Sequence, residues 1–255
     1  MGWLALVLAL AAGFCGWNAL RQRRRLRLLR SARSSSIAEL QDLHATVAAD
    51  IGAGAFREQV KLEGELVCDE PLQAPWSGLA CVAFIDTVTH VYQERVEESS
   101  TDSQGRTTTS SRWEQREQQV SQLERRCGFR LRQGEREIPV DPDRAELGYE
   151  PVFSTLDADA APPGSGLLQR QQIRSLGLRR EEQLFRAGGP IFVVAEVSDA
   201  GGALSLRHPE QEGLFLVRRE GEQRLLARTV QHQRGWWAGA AALAIGCVVA
   251  AVAAL

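Results

Sequence analysis

The sequence has almost no lysine and no excess charge of either sign. Lys61 is its single lysine, and the formal net charge of the 255 residues is −2. A near-neutral chain gives no overall electrostatic reason to bind nucleic acid, so we expect no nucleic-acid partner. The near-absence of lysine also predicts a poor target for lysine modification.

The cysteines and histidines lack the spacing of metal or catalytic sites. None of the five cysteines belongs to a CxxC pair, which argues against a zinc site or a disulfide framework. We expect Cys68, Cys81 and Cys127 to be reduced thiols. Cys81 and His90 lie on opposite faces of one predicted strand, which disfavours a nucleophile–base pair. We therefore expect no catalytic residue, no metal and no cofactor.

Two apolar stretches occupy the ends of the chain. Residues 235–255 carry no charge, and at about 1.5 Å per residue such a helix spans a hydrocarbon core roughly 30 Å thick. Residues 2–20 are interrupted only by Asn18 and lack the charge order of a cleaved signal peptide. The sequence predicts transmembrane helices over residues 1–20 and 235–255, and hence a two-pass integral membrane protein.

Arginines follow the first apolar stretch directly. By the positive-inside rule this flank stays cytoplasmic, which places residues 21–234 in the cytoplasm. Next to a membrane span, contact with anionic lipid explains such a cluster better than nucleic-acid binding does. The residues predicted to contact lipid are Arg21, Arg23, Arg24, Arg25, Arg27, Trp236 and Trp237.

Between the two ends the pattern changes from helix to strand. Residues 21–54 hold the basic segment and an amphipathic helix, which begins with a capping box formed by Ser36 and Glu39. Residues 55–220 show a period of two, typical of β-strands, and residues 221–234 form a connecting helix. The predicted fold class is mainly β (α+β), with a compact β-sandwich or barrel-like domain between two transmembrane helices.

The strand region divides into short runs separated by turn signals. We predict a polar hairpin tip over 99–111, a linker over 157–166, and a hairpin joining 179–185 to 191–197 through residues 186–190. Pro71, Pro75 and Ser77-Gly78 predict a turn, and Gln133-Gly134 predicts the turn of a strand pair formed by 128–131 and 138–140. The predicted strands are 60–66 with an interruption at Gly64, 81–96, 113–123, 128–131, 138–140, 179–185, 191–197, 204–206 and 214–217.

Several short motifs, in this order and spacing, resemble the GIDE domain, also called BAM ("beside a membrane"), of membrane-anchored mitochondrial E3 ubiquitin/SUMO ligases. The resemblance covers residues 55–255. Its motifs are Val60-Lys61-Leu62-Glu63-Gly64, Pro71-Leu72, Pro75, Ser77-Gly78, Cys81-Val82, Trp113, Phe129-Arg130-Leu131, Val140-Asp141-Pro142 and the run from Gly189 to Glu196.

The resemblance implies a domain that binds substrates or partner proteins. Animal members carry a RING finger after the second span. The printed sequence holds no paired Cys and His set of that kind, so we expect a RING-less, prokaryotic-type member without its own catalytic site. The alternative is an E3 ubiquitin-transferase activity, as the family name implies.

The predicted partner-binding residues are Pro71, Pro75, Trp76 and Trp113. Trp76 has two interpretations, as a core residue or as an anchor in a partner's groove. The expected partners are the membrane, an unidentified protein, anionic lipid and a second copy of the chain.

Overall fold

The computed structural model describes residues 2–52, 54–101, 107–160 and 173–252. The chain forms two compact units: a barrel unit (1–67, 128–148 and 188–255) and an open-sheet unit (68–127 and 149–187). The described elements are α1 (Gly2–Ser31), β1 (Arg33–Ser34), α2 (Ile37–Ile51), β2 (Arg57–Val67), β3 (Leu72–Gln73), β4 (Ala80–Thr101), β5 (Thr107–Arg126), β6 (Phe129–Gln133), β7 (Arg136–Val140), β8 (Glu146–Leu147), β9 (Glu150–Asp157), β10 (Ile173–Arg186), β11 (Pro190–Ser198), β12 (Ser205–Arg207), β13 (Leu216–Arg218) and α3 (Glu222–Val252).

Five strands of the barrel unit close into a ring. The pairing runs β2–β6–β7–β12–β11, and β11 returns to β2, so each of these strands has a neighbour on both sides. Alternate residues of paired strands face the interior and are buried. They include Val60, Leu62, Leu66, Phe129, Leu131, Ile138, Val140, Ile191, Val193, Val197 and Leu206. The predicted α+β class and barrel-like character are confirmed here.

Gly64 allows the ring to close. It lies in the middle of β2, where the sequence predicts an interruption, but the strand is continuous. A Cβ at this position would lie 2.5 Å from the carbonyl oxygen of Arg132 on the neighbouring strand. The glycine therefore marks a close backbone approach inside a strand and not a break.

The two long helices pack against the outside of β11. Phe192 and Val194 alternate with the interior residues of this strand and form a core cluster with Leu29 of α1 and Leu225 of α3. Further along the helices, the rings of Phe14 and Trp236 meet edge to face with centroids 6.2 Å apart. The two contacts run in opposite chain directions, so α1 and α3 are antiparallel.

The helices correct the expectation drawn from the apolar ends. In the described part of the chain, no helix contains a stretch long and apolar enough to cross a membrane. The two spans predicted for residues 1–20 and 235–255 are thus not found there. Residues 1 and 253–255 of these stretches lie outside the described residues.

The helix α2 begins as predicted. Ser36 is its N-cap, and the Ser36 side chain accepts a hydrogen bond from the backbone N–H of Glu39 (3.2 Å). The Glu39 carboxylate accepts one in return from the backbone N–H of Ser36 (3.0 Å). The predicted capping box is confirmed.

The open-sheet unit is a five-stranded antiparallel sheet built on β4. β10 lies on one side of β4 and continues to β9, while β3 and then β5 pair with the other side. The β4–β5 pair confirms the long hairpin. Residues 102–106 of its predicted tip and residues 161–166 of the predicted linker lie outside the described residues.

One predicted hairpin is wrong. β10 pairs with β4 and β9, whereas β11 pairs with β2, β12 and β13, so the two strands belong to different sheets. Gly188 and Gly189, both with positive φ, carry the chain from one sheet to the other. A local turn signal indicates a change of direction, but it does not select the partner strand.

Candidate protein-binding surface

A buried carboxylate binds the backbone of the turn between β3 and β4. Glu182 of β10 is fully buried. Its two oxygens accept hydrogen bonds from the backbone N–H groups of Trp76 (2.9 Å) and Ser77 (3.0 Å). Within the turn, Gly78 N–H donates to the Ala74 carbonyl and Ala74 N–H donates to the Leu79 carbonyl, both at 3.0 Å. The turn is thereby fixed to the sheet beneath it.

The Trp76 side chain is held in one orientation although it is exposed. Its indole Nε1–H donates to the Asp86 carboxylate at 2.8 Å. The ring stacks nearly parallel to Phe153, with centroids 6.3 Å apart, and the Arg180 guanidinium lies over it at 4.6 Å from the centroid. Cation–π and stacking contacts of this kind restrict the ring. Even so, 39% of Trp76 remains exposed.

Three of the four residues that contact Trp76 lie in one row of the sheet. Phe153, Glu182, Asp86 and Leu123 are directly opposite one another on β9, β10, β4 and β5, and cross-strand neighbours share a face of the sheet. Leu123, at the end of this row, is 45% exposed. We call the surface formed by Pro75, Trp76, Leu123, Phe153 and Arg180 the Trp76 surface.

The comparisons with known proteins assign the chain to a family. The sequence profile described as "GIDE: E3 Ubiquitin ligase" matches residues 97–252, more than half of the chain. The chain belongs to the GIDE family. No curated protein and no solved structure matches the chain significantly. The resemblance to the GIDE domain is confirmed over the matched residues, which include Phe153, Arg180 and Glu182 and begin after the β3–β4 turn.

The structure does not bring Trp113 of this GIDE protein to the same place. Trp113 lies on β5 opposite Arg95, whereas Asp86, the partner of the Trp76 indole, lies nine residues earlier on β4. At about 3.3 Å per residue the separation along β4 is roughly 30 Å, and residues of odd and even number point to opposite faces. Trp113, 49% exposed, therefore belongs to another surface. Pro71 precedes β3, and Pro75 lies within the turn directly before Trp76.

The thiol and imidazole candidates for chemistry lie apart from each other. Cys81 is buried, its Sγ–H donates to the Leu72 carbonyl (3.6 Å), and burial raises its pKa to about 11. His90 instead contacts the Ser175 hydroxyl (2.9 Å), and burial lowers the pKa of its imidazole. Among the described residues, no group of three Cys, His, Asp or Glu side chains could hold a metal ion.

The arginines predicted to contact lipid lie on α1, which continues without a break through the basic segment. Arg25 donates to the Glu146 carboxylate at 2.7 Å, and Arg218 donates to the same group at 2.6 Å. Arg24 pairs with Glu212. A cleft of about 640 Å³ is lined by Trp17, Leu20, Arg21, Arg23, Arg24 and Arg27. Trp236 is half-buried against Phe14, and Trp237 is exposed.

The residues that support Trp76 could not be predicted from the sequence. Asp86, Phe153, Arg180 and Glu182 come from three strands, and their meeting depends on the register of β4, β9 and β10. The alternation of side chains along β4 signals which residues share a face. It contains no information about which residues of β9 and β10 stand opposite them.

Proposed function

We propose that this GIDE protein is a membrane-anchored interaction module without its own catalytic site, and that it binds a protein partner through the Trp76 surface. The observation that carries the proposal is an exposed tryptophan whose position is fixed by four neighbours. A side chain that is already ordered loses little conformational entropy on binding, and tryptophan and arginine are enriched among the residues that dominate binding energy.

Pre-organisation distinguishes Trp76 from an ordinary surface residue. Glu182 fixes the backbone, Asp86 fixes the indole N–H, and Phe153 and Arg180 contact the ring. Pro75 directly precedes Trp76 in the turn, and Leu123 stands opposite Asp86, the partner of the indole N–H. This arrangement of one aromatic anchor within a partly apolar surface suits a partner that covers it with a shallow groove.

The test is partner capture in the native membrane. The full-length protein would be crosslinked in its own cells as wild type, Trp76→Ala and Trp113→Ala, and the captured proteins quantified. We expect one stoichiometric partner that is retained by Trp113→Ala and lost with Trp76→Ala. Equal capture by all three proteins, or recovery of the chain's own copies alone, would contradict the proposal.

Membrane anchoring is the second part of the proposal, and α1 supports it. Large apolar side chains stand exposed at Trp3, Leu6, Leu10, Phe14 and Trp17, a spacing that places them along one side of the helix. An exposed apolar stripe followed by arginines fits an apolar lipid interior bordered by anionic headgroups.

Membrane fractionation tests the anchoring. An integral protein stays in the membrane pellet after alkaline carbonate extraction, which is the result we expect. Liposome flotation with and without anionic lipid, using wild type and a variant with Arg21, Arg23 and Arg27 changed to Gln, then measures the headgroup contact. Carbonate release would contradict integral anchoring, and indifference to lipid charge would contradict the arginine contact.

The family description itself favours one alternative, an E3 ubiquitin-transferase activity. An E3 accelerates the discharge of ubiquitin from a charged E2 enzyme. We expect equal discharge rates with and without the purified full-length protein. A reproducible acceleration would replace the non-catalytic proposal with this one.

A further inference from the structure

Two cysteines far apart in sequence lie in contact in the open-sheet unit. The Sγ atoms of Cys68 and Cys127 are 3.8 Å apart, and both residues are half-buried. A disulfide bond is about 2.05 Å long, so the sulfurs need to approach by less than 2 Å to form one. Partial exposure leaves the pair open to a small oxidant.

Each of the two cysteines directly follows a strand that fixes its backbone. Cys68 directly follows Val67, the last residue of β2, and Val67 is paired with Arg130 at the start of β6. Cys127 directly follows β5, and its backbone N–H donates to the Val82 carbonyl at 2.9 Å. Its Sγ–H also donates to the Val82 carbonyl, at 3.5 Å. The two hydrogen bonds to Val82 thus fix Cys127 at the end of the ladder between β4 and β5, within contact of Cys68.

We propose that Cys68 and Cys127 form a redox-modification site, which a small-molecule disulfide such as glutathione disulfide converts to an intramolecular disulfide. One cysteine thiolate attacks the oxidant, forms a mixed disulfide and releases one thiol. The second cysteine, as thiolate, attacks the mixed disulfide and releases the second thiol. Two protein thiols are oxidised, one external disulfide is reduced to two thiols, and the reaction balances.

The environment of the two cysteines makes their oxidation slow. Burial, followed by the hydrogen bond with Cys127, raises the pKa of Cys68 to about 11. Since the thiolate is the attacking species, its small fraction at neutral pH slows attack by Cys68, and the fraction grows as the pH rises. The pair therefore responds to sustained oxidation and does not act as a fast catalytic dithiol.

The disulfide would close a covalent loop of about 60 residues that contains β3, β4 and β5. A crosslink of this length lowers the conformational entropy of the unfolded chain. We therefore expect the oxidised protein to melt several degrees above the reduced protein. The effect should reverse when dithiothreitol reduces the bond.

Peptide mapping of the full-length protein tests the proposal. Wild type, Cys68→Ser, Cys127→Ser and Cys81→Ser would be oxidised with glutathione disulfide, alkylated and digested without reduction. Trypsin combined with a protease that cuts on the N-terminal side of aspartate cleaves before Asp69 and so separates Cys68 from Cys81. Cys81→Ser is the matched control, because Cys81 is fully buried.

We expect a peptide pair linked through Cys68 and Cys127 in wild type and in Cys81→Ser, and none in the other two variants. The rise in Tm should accompany that linkage and should be absent from Cys68→Ser and Cys127→Ser. Two results would overturn the proposal: complete oxidant treatment that leaves the two cysteines unlinked, or linkage only between separate molecules.

Discussion

The barrel unit and the open-sheet unit bury their strands in different ways. In the barrel, the five ring strands have neighbours on both sides, and their alternate side chains fill a closed apolar interior. In the open sheet, β5 pairs only with β4 along its described length, and nearly all of its side chains are exposed. The barrel thus has the features of a stable scaffold, while the sheet keeps an exposed strand with unpaired backbone groups along one edge of its described length.

Substituting one leucine in each unit tests this comparison most directly. Leu131 is completely buried in the barrel, whereas Leu123 is 45% exposed on β5. We expect Leu131→Ala to lower the free energy of unfolding by about 3 kcal/mol, from lost transfer energy and the cavity left behind. Leu123→Ala should change it by less than about 1 kcal/mol. Urea unfolding followed by circular dichroism measures both, and similar losses would contradict the account.

The buried carboxylate of Glu182 allows a second test, which compares a buried and a non-buried position within the open sheet. Glu182 accepts two backbone N–H groups of the turn. We expect Glu182→Gln to lower the free energy of unfolding by about 1–3 kcal/mol. The neutral amide keeps only one acceptor oxygen, and its NH₂ group would face a backbone N–H group that is itself a donor. The matched control is Glu181→Gln, one residue earlier on the opposite face of β10. A control loss as large as that of Glu182→Gln would contradict the role given to this carboxylate.

A second buried carboxylate, Asp199, is held by hydrogen bonds in the barrel unit. The backbone N–H groups of Gly54 and Phe56 and the imidazole of His44 bind Asp199 and hold its pKa below the ordinary value. A lowered pKa in the folded state stabilises the protein at neutral pH, and this contribution is lost as the pH falls below about 4.

Acid titration of stability checks this assignment. We expect Tm to fall as the pH falls below about 4, and to fall less in Asp199→Asn than in wild type. Asp50→Asn, an exposed change in α2, should follow the wild-type curve. Equal slopes for wild type and Asp199→Asn would show that another group is responsible.

The smallest expected effect concerns the single lysine. The Lys61 side chain is only 12% exposed, and its ammonium group donates to the Glu222 carboxylate at 2.6 Å. We expect an amine-reactive reagent to label Lys61 slowly in the wild type, and Glu222→Gln to speed labelling a few-fold. Glu220→Gln serves as control. Rapid labelling of Lys61 in wild type would contradict its protected environment.

Local features of the fold could be predicted from the sequence. The capping box at Ser36 depends on residues three positions apart, and the β6–β7 hairpin depends on the Gln133-Gly134 turn between its strands. Both are confirmed because the interacting groups are neighbours in the chain.

Long-range features could not be predicted in the same way. Closure of the barrel pairs β2 with β11, about 130 residues later in the chain. The alternation of apolar and polar residues in either strand does not identify the strand with which it pairs. The contact of Cys68 with Cys127 has no signature in their spacing. The prolines and Ser77-Gly78 predict the turn that carries Trp76, but the four residues that hold the turn and the ring come together only through strand register.

The affinity of the captured partner for a matched pair of tryptophan variants tests the central claim most directly. Binding would be measured for wild type, Trp76→Phe, Trp76→Ala and Trp113→Ala. We expect Trp76→Ala to raise Kd at least about tenfold, Trp76→Phe to raise it less, and Trp113→Ala to leave it nearly unchanged. Equal Kd values for wild type and Trp76→Ala, or a larger loss with Trp113→Ala, would contradict the account.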